Sequence, residues 1–153
     1  MLSKEIRESV EKSVLCWLAT SSADNIPNVS PKEAFMIYEN ESIIIANIAS
    51  PQSVKNIEEN AQVCLSVLDV FTQKGYQLKG VADIIDVEHP KYDLMKAALE
   101  QMTQGKFPFR TITSVSVQQS KKIIAPSYYL YPETTEQDQI DDALKSYQVR
   151  SLL

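Results

Sequence analysis

Only three glycines (Gly75, Gly80, Gly105) and one histidine (His89) occur in this 153-residue sequence. So few glycines exclude both the G-x-G-x-x-G dinucleotide fingerprint and the phosphate-cradling Walker loop. His89 stands before Pro90 at an expected helix start, where a surface or capping role fits better than a Ser-His-Asp or Cys-His catalytic site. Neither cysteine, Cys16 nor Cys64, has a Cys or His partner at zinc spacing, so no metal site is expected. Both lie in apolar strand-like runs and read as buried free thiols. No Lys/Arg run is longer than Lys121-Lys122, and the net charge is −5. That balance argues against a nucleic-acid partner, which needs a basic face. There is no long hydrophobic run, and the first residues, MLSKEIRESVEK, are charged throughout. No membrane segment or leader is expected, and the chain reads as cytoplasmic. Carboxylates fall mostly on expected helices, as in Glu58-Glu59 and Asp141-Asp142, where a solvated face is the default. No catalytic residue can be named, and any redox chemistry has to come from a bound organic cofactor.

What is present is an ordinary globular composition, 44% apolar and 23% charged, long enough to bury about two-thirds of its unfolded surface. One domain over 1–153 is expected, with a barrel core over about 14–125 and a last helix over about 134–148. Ser3 caps a first helix carrying Ile6, Val10 and Val14. Residues 14–20 (VLCWLAT) form a strand, SSADNIP a turn, and 28–38 a single returning strand. Pro31 makes that strand an edge or a bulge. Residues 75–85 (GYQLKGVADII) form a long strand in which Gly80 marks a bulge, a bend or a close approach. A helix starting at His89-Pro90 carries the core stripe Tyr92, Met95, Leu99 and Met102. Residues 111–117 alternate as a strand that continues after Ser120-Lys121 into 122–125, and PSYYLYP is an aromatic linker. Thr134 with Gln137 makes a capping box for a last helix with Ile140, Ala143, Leu144 and Tyr147 on its apolar side. Consecutive strands with short turns predict a mainly β fold with flanking helices, an antiparallel sheet or small barrel.

The chemically informative stretch is 42–68, SIIIANIASPQSVKNIEENAQVCLSVL. Residues 42–48 are too short and too β-branched for a helix and read as a strand buried on both faces. Ser50-Pro51 then opens a short helix, with Ser50 expected to cap it and Asn60 to end it in a left-handed turn. Amides at a helix start carry about half a positive charge and favour an anion such as phosphate. Gln52, Ser53 and Lys55 add side-chain donors to that first turn, and Ser30 and Lys32 beside Pro31 form a second polar cluster.

Three segments together, CWLATSSADNIPNVSPKEAFMIY, IIIANIASPQSVKNIEENAQVCLSV and GYQLKGVADII, resemble the pyridoxamine 5′-phosphate oxidase-like family of FMN-binding split β-barrels. The likeness covers roughly 14–85 and continues weakly in IIAPSYYLYP. It implies a split antiparallel β-barrel, a homodimer, and FMN in the cleft between subunits. By resemblance, Ser30 and Lys32 on the strand and Gln52, Ser53 and Lys55 at the helix start would hold the phosphate. Asn47 and Ile48 would run alongside the isoalloxazine ring. The adjacent basic pair common at that helix start is Gln52-Ser53 here, and the family's histidine-bearing substrate motif has no counterpart after Tyr131. Pyridoxamine phosphate oxidation is therefore not expected. The resemblance implies an FMN-dependent oxidoreductase, flavin reductase-like, acting on an unidentified small acceptor. The alternatives are a non-catalytic flavin or electron carrier, and a same-fold binder of deazaflavin or haem.

Overall fold

The computed structural model describes residues 1–152. In chain order they form α1 (Lys4–Lys12), β1 (Cys16–Ser21), β2 (Pro27–Lys32), β3 (Phe35–Tyr38), β4 (Ser42–Ala46), α2 (Pro51–Glu59), β5 (Gln62–Asp69), β6 (Lys74–Ile85), α3 (Tyr92–Thr103), β7 (Ile112–Ile124), α4 (Ser127–Leu130) and α5 (Glu136–Tyr147). The strands make a seven-stranded sheet in the order β2-β1-β5-β6-β7-β4-β3, and each pairing is antiparallel.

The expected single strand over 28–38 is instead two strands, β2 and β3, at opposite edges of the sheet. Three peptide steps join Lys32 to Phe35, a reach of at most about 11 Å. Six inter-strand spacings of about 4.8 Å would part the edges of a flat sheet by about 29 Å. The sheet therefore curls until its edges meet, a split barrel closed by the chain rather than by a ladder. The Ala34 carbonyl in the link accepts from Ala46 N–H of β4 at 2.9 Å. Pro31 lies on an edge strand in regular register opposite Trp17, so it marks the edge and not a bulge.

The curl explains why β4 is apolar on both faces. Ile43 and Ile45 point into the barrel with Leu18, Leu65, Val67, Leu78 and Val115, while Ile44 and Ala46 pack outward with Tyr92, Met95 and Leu99 of α3. Ile6 and Val10 of α1 complete the inner core. Ser3 caps α1 by accepting from Ile6 N–H, but that helix ends at Lys12 and Val14 is 84% exposed. Gly80 sits at a register shift between β6 and β7, and a Cβ there would lie 2.1 Å from the Ser116 carbonyl oxygen. Close backbone approach is the reason for that glycine.

Five local expectations shift. Ser50 makes no side-chain cap on α2, and Asn60 ends it extended (φ −146) rather than left-handed. His89-Pro90 belongs to a turn before α3, where His89 Nδ1 accepts from Lys91 N–H at 3.1 Å; that bond lies within the turn, and no side chain caps α3. PSYYLYP contains the short helix α4. The capping box of α5 is Thr135 with Asp138, one residue later than the expected pair, and Ala143 is the buried residue of its apolar side.

Candidate functional site

The site grows from an inverted strand. Register places Asn28, Ser30 and Lys32 of β2 opposite Thr20, Leu18 and Cys16 of β1, so these polar residues share the barrel-facing side of the sheet. Pro27, Val29 and Pro31 take the outer side and are exposed. A strand on a barrel normally turns its apolar residues inward, and β2 does the reverse because α2 lies against its inner side with polar residues of its own.

Between β1, β2 and α2 runs a seam of paired polar side chains. Thr20 Oγ1 accepts from Asn56 Nδ2 at 3.0 Å and from Asn28 Nδ2 at 3.4 Å. Ser53 Oγ accepts from Asn28 Nδ2 at 3.4 Å and shares a hydrogen bond with Ser30 Oγ at 3.2 Å. Ser53 and Asn56 are each 1% exposed and Thr20 is 4% exposed. Buried polar groups persist only when paired, and this seam satisfies that rule while fixing the start of α2 against the sheet.

At the end of the seam Lys32, 5% exposed, donates from Nζ to Ser50 Oγ. That bond explains why Ser50 does not cap α2: its hydroxyl is engaged by the ammonium. No carboxylate pairs with Lys32 among the described residues. Burial pushes its ammonium below the ordinary lysine value, partly offset by the Cys16 thiol facing it. Burial likewise raises the Cys16 thiol to about 12, opposed by the charge of Lys32. A buried cation without a counter-ion, beside a helix start with no side-chain cap, is an arrangement that an anion completes.

Lys32 and Ser50 also border a cleft of about 520 Å³, within the range of small-molecule sites. Its apolar lining includes Ala46, Ile48, Met102 and Phe107, and its polar lining includes Thr103 and Lys106. Ile48, Met102 and Phe107 are 40%, 48% and 48% exposed, so the cleft has apolar surface open to an occupant.

The candidates singled out in the sequence thus fall into four places. Ser30 and Ser53 meet in the seam, Lys32 lies at its end on Ser50, and Lys32 and Ile48 line the cleft. Gln52 and Lys55 lie on the exposed side of the first turns of α2; Gln52 donates to Asn56 Oδ1 at 2.7 Å. Lys55 has no ion-pair partner among the described residues. The Asn47 side chain is held at both ends, donating to Thr111 Oγ1 at 3.2 Å and accepting from Thr113 Oγ1 at 2.9 Å. It ties the end of β4 to β7 and thereby fixes the segment that carries Ile48 and Ser50.

Sequence reasoning did not find Thr20, Asn28 or Asn56, nor the α3 wall. Two signals were available: Asn28 alternates with Ser30 and Lys32, and Asn56 follows Ser53 by three residues, on one helix face. The wall from Met102 to Phe107 had none, because only the fold brings it beside β4. His89, the sole histidine, lines a separate cavity with Tyr38, Glu39 and Lys91. Among the described residues no group of three or more His, Cys, Asp or Glu is placed to hold a metal, and no helix is long and apolar enough to cross a membrane.

A split barrel with a polar seam at one helix start defines a class of protein, and comparison with known proteins agrees. The family model described as pyridoxamine 5′-phosphate oxidase matches residues 2–125. The chain belongs to the pyridoxamine 5′-phosphate oxidase family. An uncharacterised protein of Methanocaldococcus jannaschii is 32% identical over 84 residues, 54% of this chain and 55% of that protein. The chain thus spans about half the length of the curated relative it matches. Similar solved structures include HupZ of Group A Streptococcus (TM-score 0.68, 22% identity, covering 82% of this chain and 99% of that one). An FMN-binding protein from Syntrophomonas wolfei superposes with TM-score 0.66 at 16% identity, covering 78% of this chain and 84% of that one. HutZ, the haem storage protein from Vibrio cholerae, superposes with TM-score 0.62 at 20% identity, covering 80% and 94%. At these identities the likeness shows the fold alone.

Proposed function

We propose that this chain binds FMN and acts as an FMN-dependent oxidoreductase, flavin reductase-like, on a small acceptor. The observation that carries the reading is Lys32: a buried ammonium with no ion-pair partner among the described residues, bonded to Ser50 at the start of α2 and opening on a cleft with apolar walls and Glu33 at its border. A phosphate monoester fits the cation and the helix amides, and a flat ring system fits the surface offered by Ile48, Met102 and Phe107. FMN, when bound, supplies electron-transfer chemistry that no side chain of the site carries. The chain's own part is to bind the phosphate through Lys32, Ser30, Ser53, Gln52 and Lys55, to hold the Ile48 segment through Asn47, and to cover the ring from solvent.

The reading includes a homodimer that completes the cleft. Its support is the outer face of β1 and β2, where Trp17 is 47% exposed and Val29 59% exposed beside Pro27 and Pro31. Apolar surface on an edge hairpin needs cover, and two-fold pairing is the commonest solution.

Haem is the second reading, because one fold neighbour is a haem storage protein. The residues fit it less well: His89 faces another cavity and its Nδ1 is engaged by Lys91 N–H. The test is the visible spectrum of the purified protein, with FMN, a deazaflavin and haem each added in turn. Flavin bands and saturable FMN binding are expected, followed by reduction with a nicotinamide and turnover with a panel of acceptors. Saturable haem binding without FMN binding overturns the proposal. FMN binding without turnover on any acceptor makes the chain a flavin carrier.

A further inference from the structure

Asn56 lies one turn into α2, is 1% exposed, and is not among the residues that line the cleft. Its two amide ends serve different elements. Nδ2 donates to Thr20 Oγ1 on β1, and Oδ1 accepts from Gln52 Nε2 in the first turn of its own helix. Thr20 is itself buried and also held by Asn28. An exposed side chain at the helix start is thus tethered, through one buried amide, to the floor of the sheet.

A glutamine amide has two N–H donors. With one given to Asn56, the amide plane of Gln52 is fixed and the second N–H is left for a ligand. A long side chain normally loses rotamer freedom when it binds, and a tether removes that loss in advance. We propose that Asn56 is a positioning residue for the anion end of the ligand: anchored on Thr20, it presents one N–H of Gln52 to phosphate at the start of α2. This rests on the FMN reading and deepens it, since it assigns discrimination between a phosphorylated flavin and an unphosphorylated one to a residue that touches neither.

The alternative, that Asn56 only pins α2 to β1, makes a different prediction. FMN and riboflavin are titrated, by quenching of flavin fluorescence, into the wild-type protein, Gln52→Ala, Asn56→Ala and the double variant, with thermal midpoints measured alongside. Each single change is expected to weaken FMN about tenfold and to leave riboflavin unchanged. The double variant is expected to be no weaker than the weaker single, because both remove one device. Thr20→Val, which keeps the shape but removes the anchor, is expected to repeat the selective loss and replaces Asn56→Ala in the cycle should that variant not fold. Equal losses for the two flavins, additive losses, or no loss in Gln52→Ala overturn the positioning role. A wild-type protein that does not prefer FMN to riboflavin overturns the phosphate reading and this inference with it.

Discussion

At the scale of single residues, Lys32 sets its proposed role in anion binding against stability. Burial lowers its pKa below the ordinary lysine value of 10.5, so the unfolded chain holds this proton more tightly than the folded one. Between the lowered value and 10.5 the unfolded state binds more protons, and stability rises with pH. The cost of burying the ammonium is present in full below the lowered value and fades as pH rises toward 10.5. Lys32→Met, similar in length and uncharged, is therefore expected to raise the urea midpoint at pH 7, with the gain shrinking toward pH 10. A midpoint that falls at pH 7 means that the ammonium has a stabilising partner other than Ser50. The thiols give a second check. Burial raises both, Cys16 to about 12, and a protonated thiol is a poor nucleophile. At pH 8 a thiol reagent is expected to label half-buried Cys64 slowly and fully buried Cys16 only on unfolding. Prompt native labelling of Cys16 contradicts its placement in the barrel.

At the scale of elements, periodicity and turn chemistry made much of the fold legible. The β-branched run at 43–45 reads as a doubly buried strand because both of its faces are buried, one by the barrel and one by α3. The alternation of buried Val63, Leu65 and Val67 with half-buried Cys64 and Ser66 reads as β5 for a different reason, because one face of that strand meets the barrel core. What was not legible depends on long-range geometry. Nothing local says that 28–38 breaks at Glu33-Ala34, since the break exists to carry the chain across the split. Ser50 has the chemistry of a cap and fails to act as one because Lys32, eighteen residues earlier, engages its hydroxyl. The cap of α5 is off by one residue because Thr134 and Thr135 are alike in chemistry, and Asp138 rather than Gln137 completes the pair. Within the candidate site, the polar residues flanking Pro31 and the start of α2 were legible as a cluster, whereas the α3 wall was not. Gly80→Ala is expected to destabilise by about 1–3 kcal/mol in urea unfolding, because the new Cβ meets backbone rather than a movable side chain. A loss within experimental error would show that β7 can shift to make room there.

At the scale of the whole molecule, the barrel's split, the inverted strand and the helix start act together. On the proposed reading, an edge strand with its polar side inward builds the anion site, and the same inversion leaves apolar Val29 and Pro31 outside, where the proposed second copy would dock. Light scattering at micromolar protein is expected to give twice the chain mass, and Trp17→Glu with Val29→Glu to give the chain mass without loss of folded signal. A monomeric wild-type protein with FMN bound contradicts the shared cleft. The central claim is that Lys32 and the α2 start bind the ligand through its phosphate. Calorimetric titration of FMN and of riboflavin into the wild-type protein and into Lys32→Met tests it most directly. The expected result is that FMN binds the wild-type protein more tightly than riboflavin does, and that the substitution weakens FMN about ten- to hundredfold while leaving riboflavin unchanged. Equal affinity of the two flavins for the wild-type protein, or an equal loss of both in Lys32→Met, would contradict it.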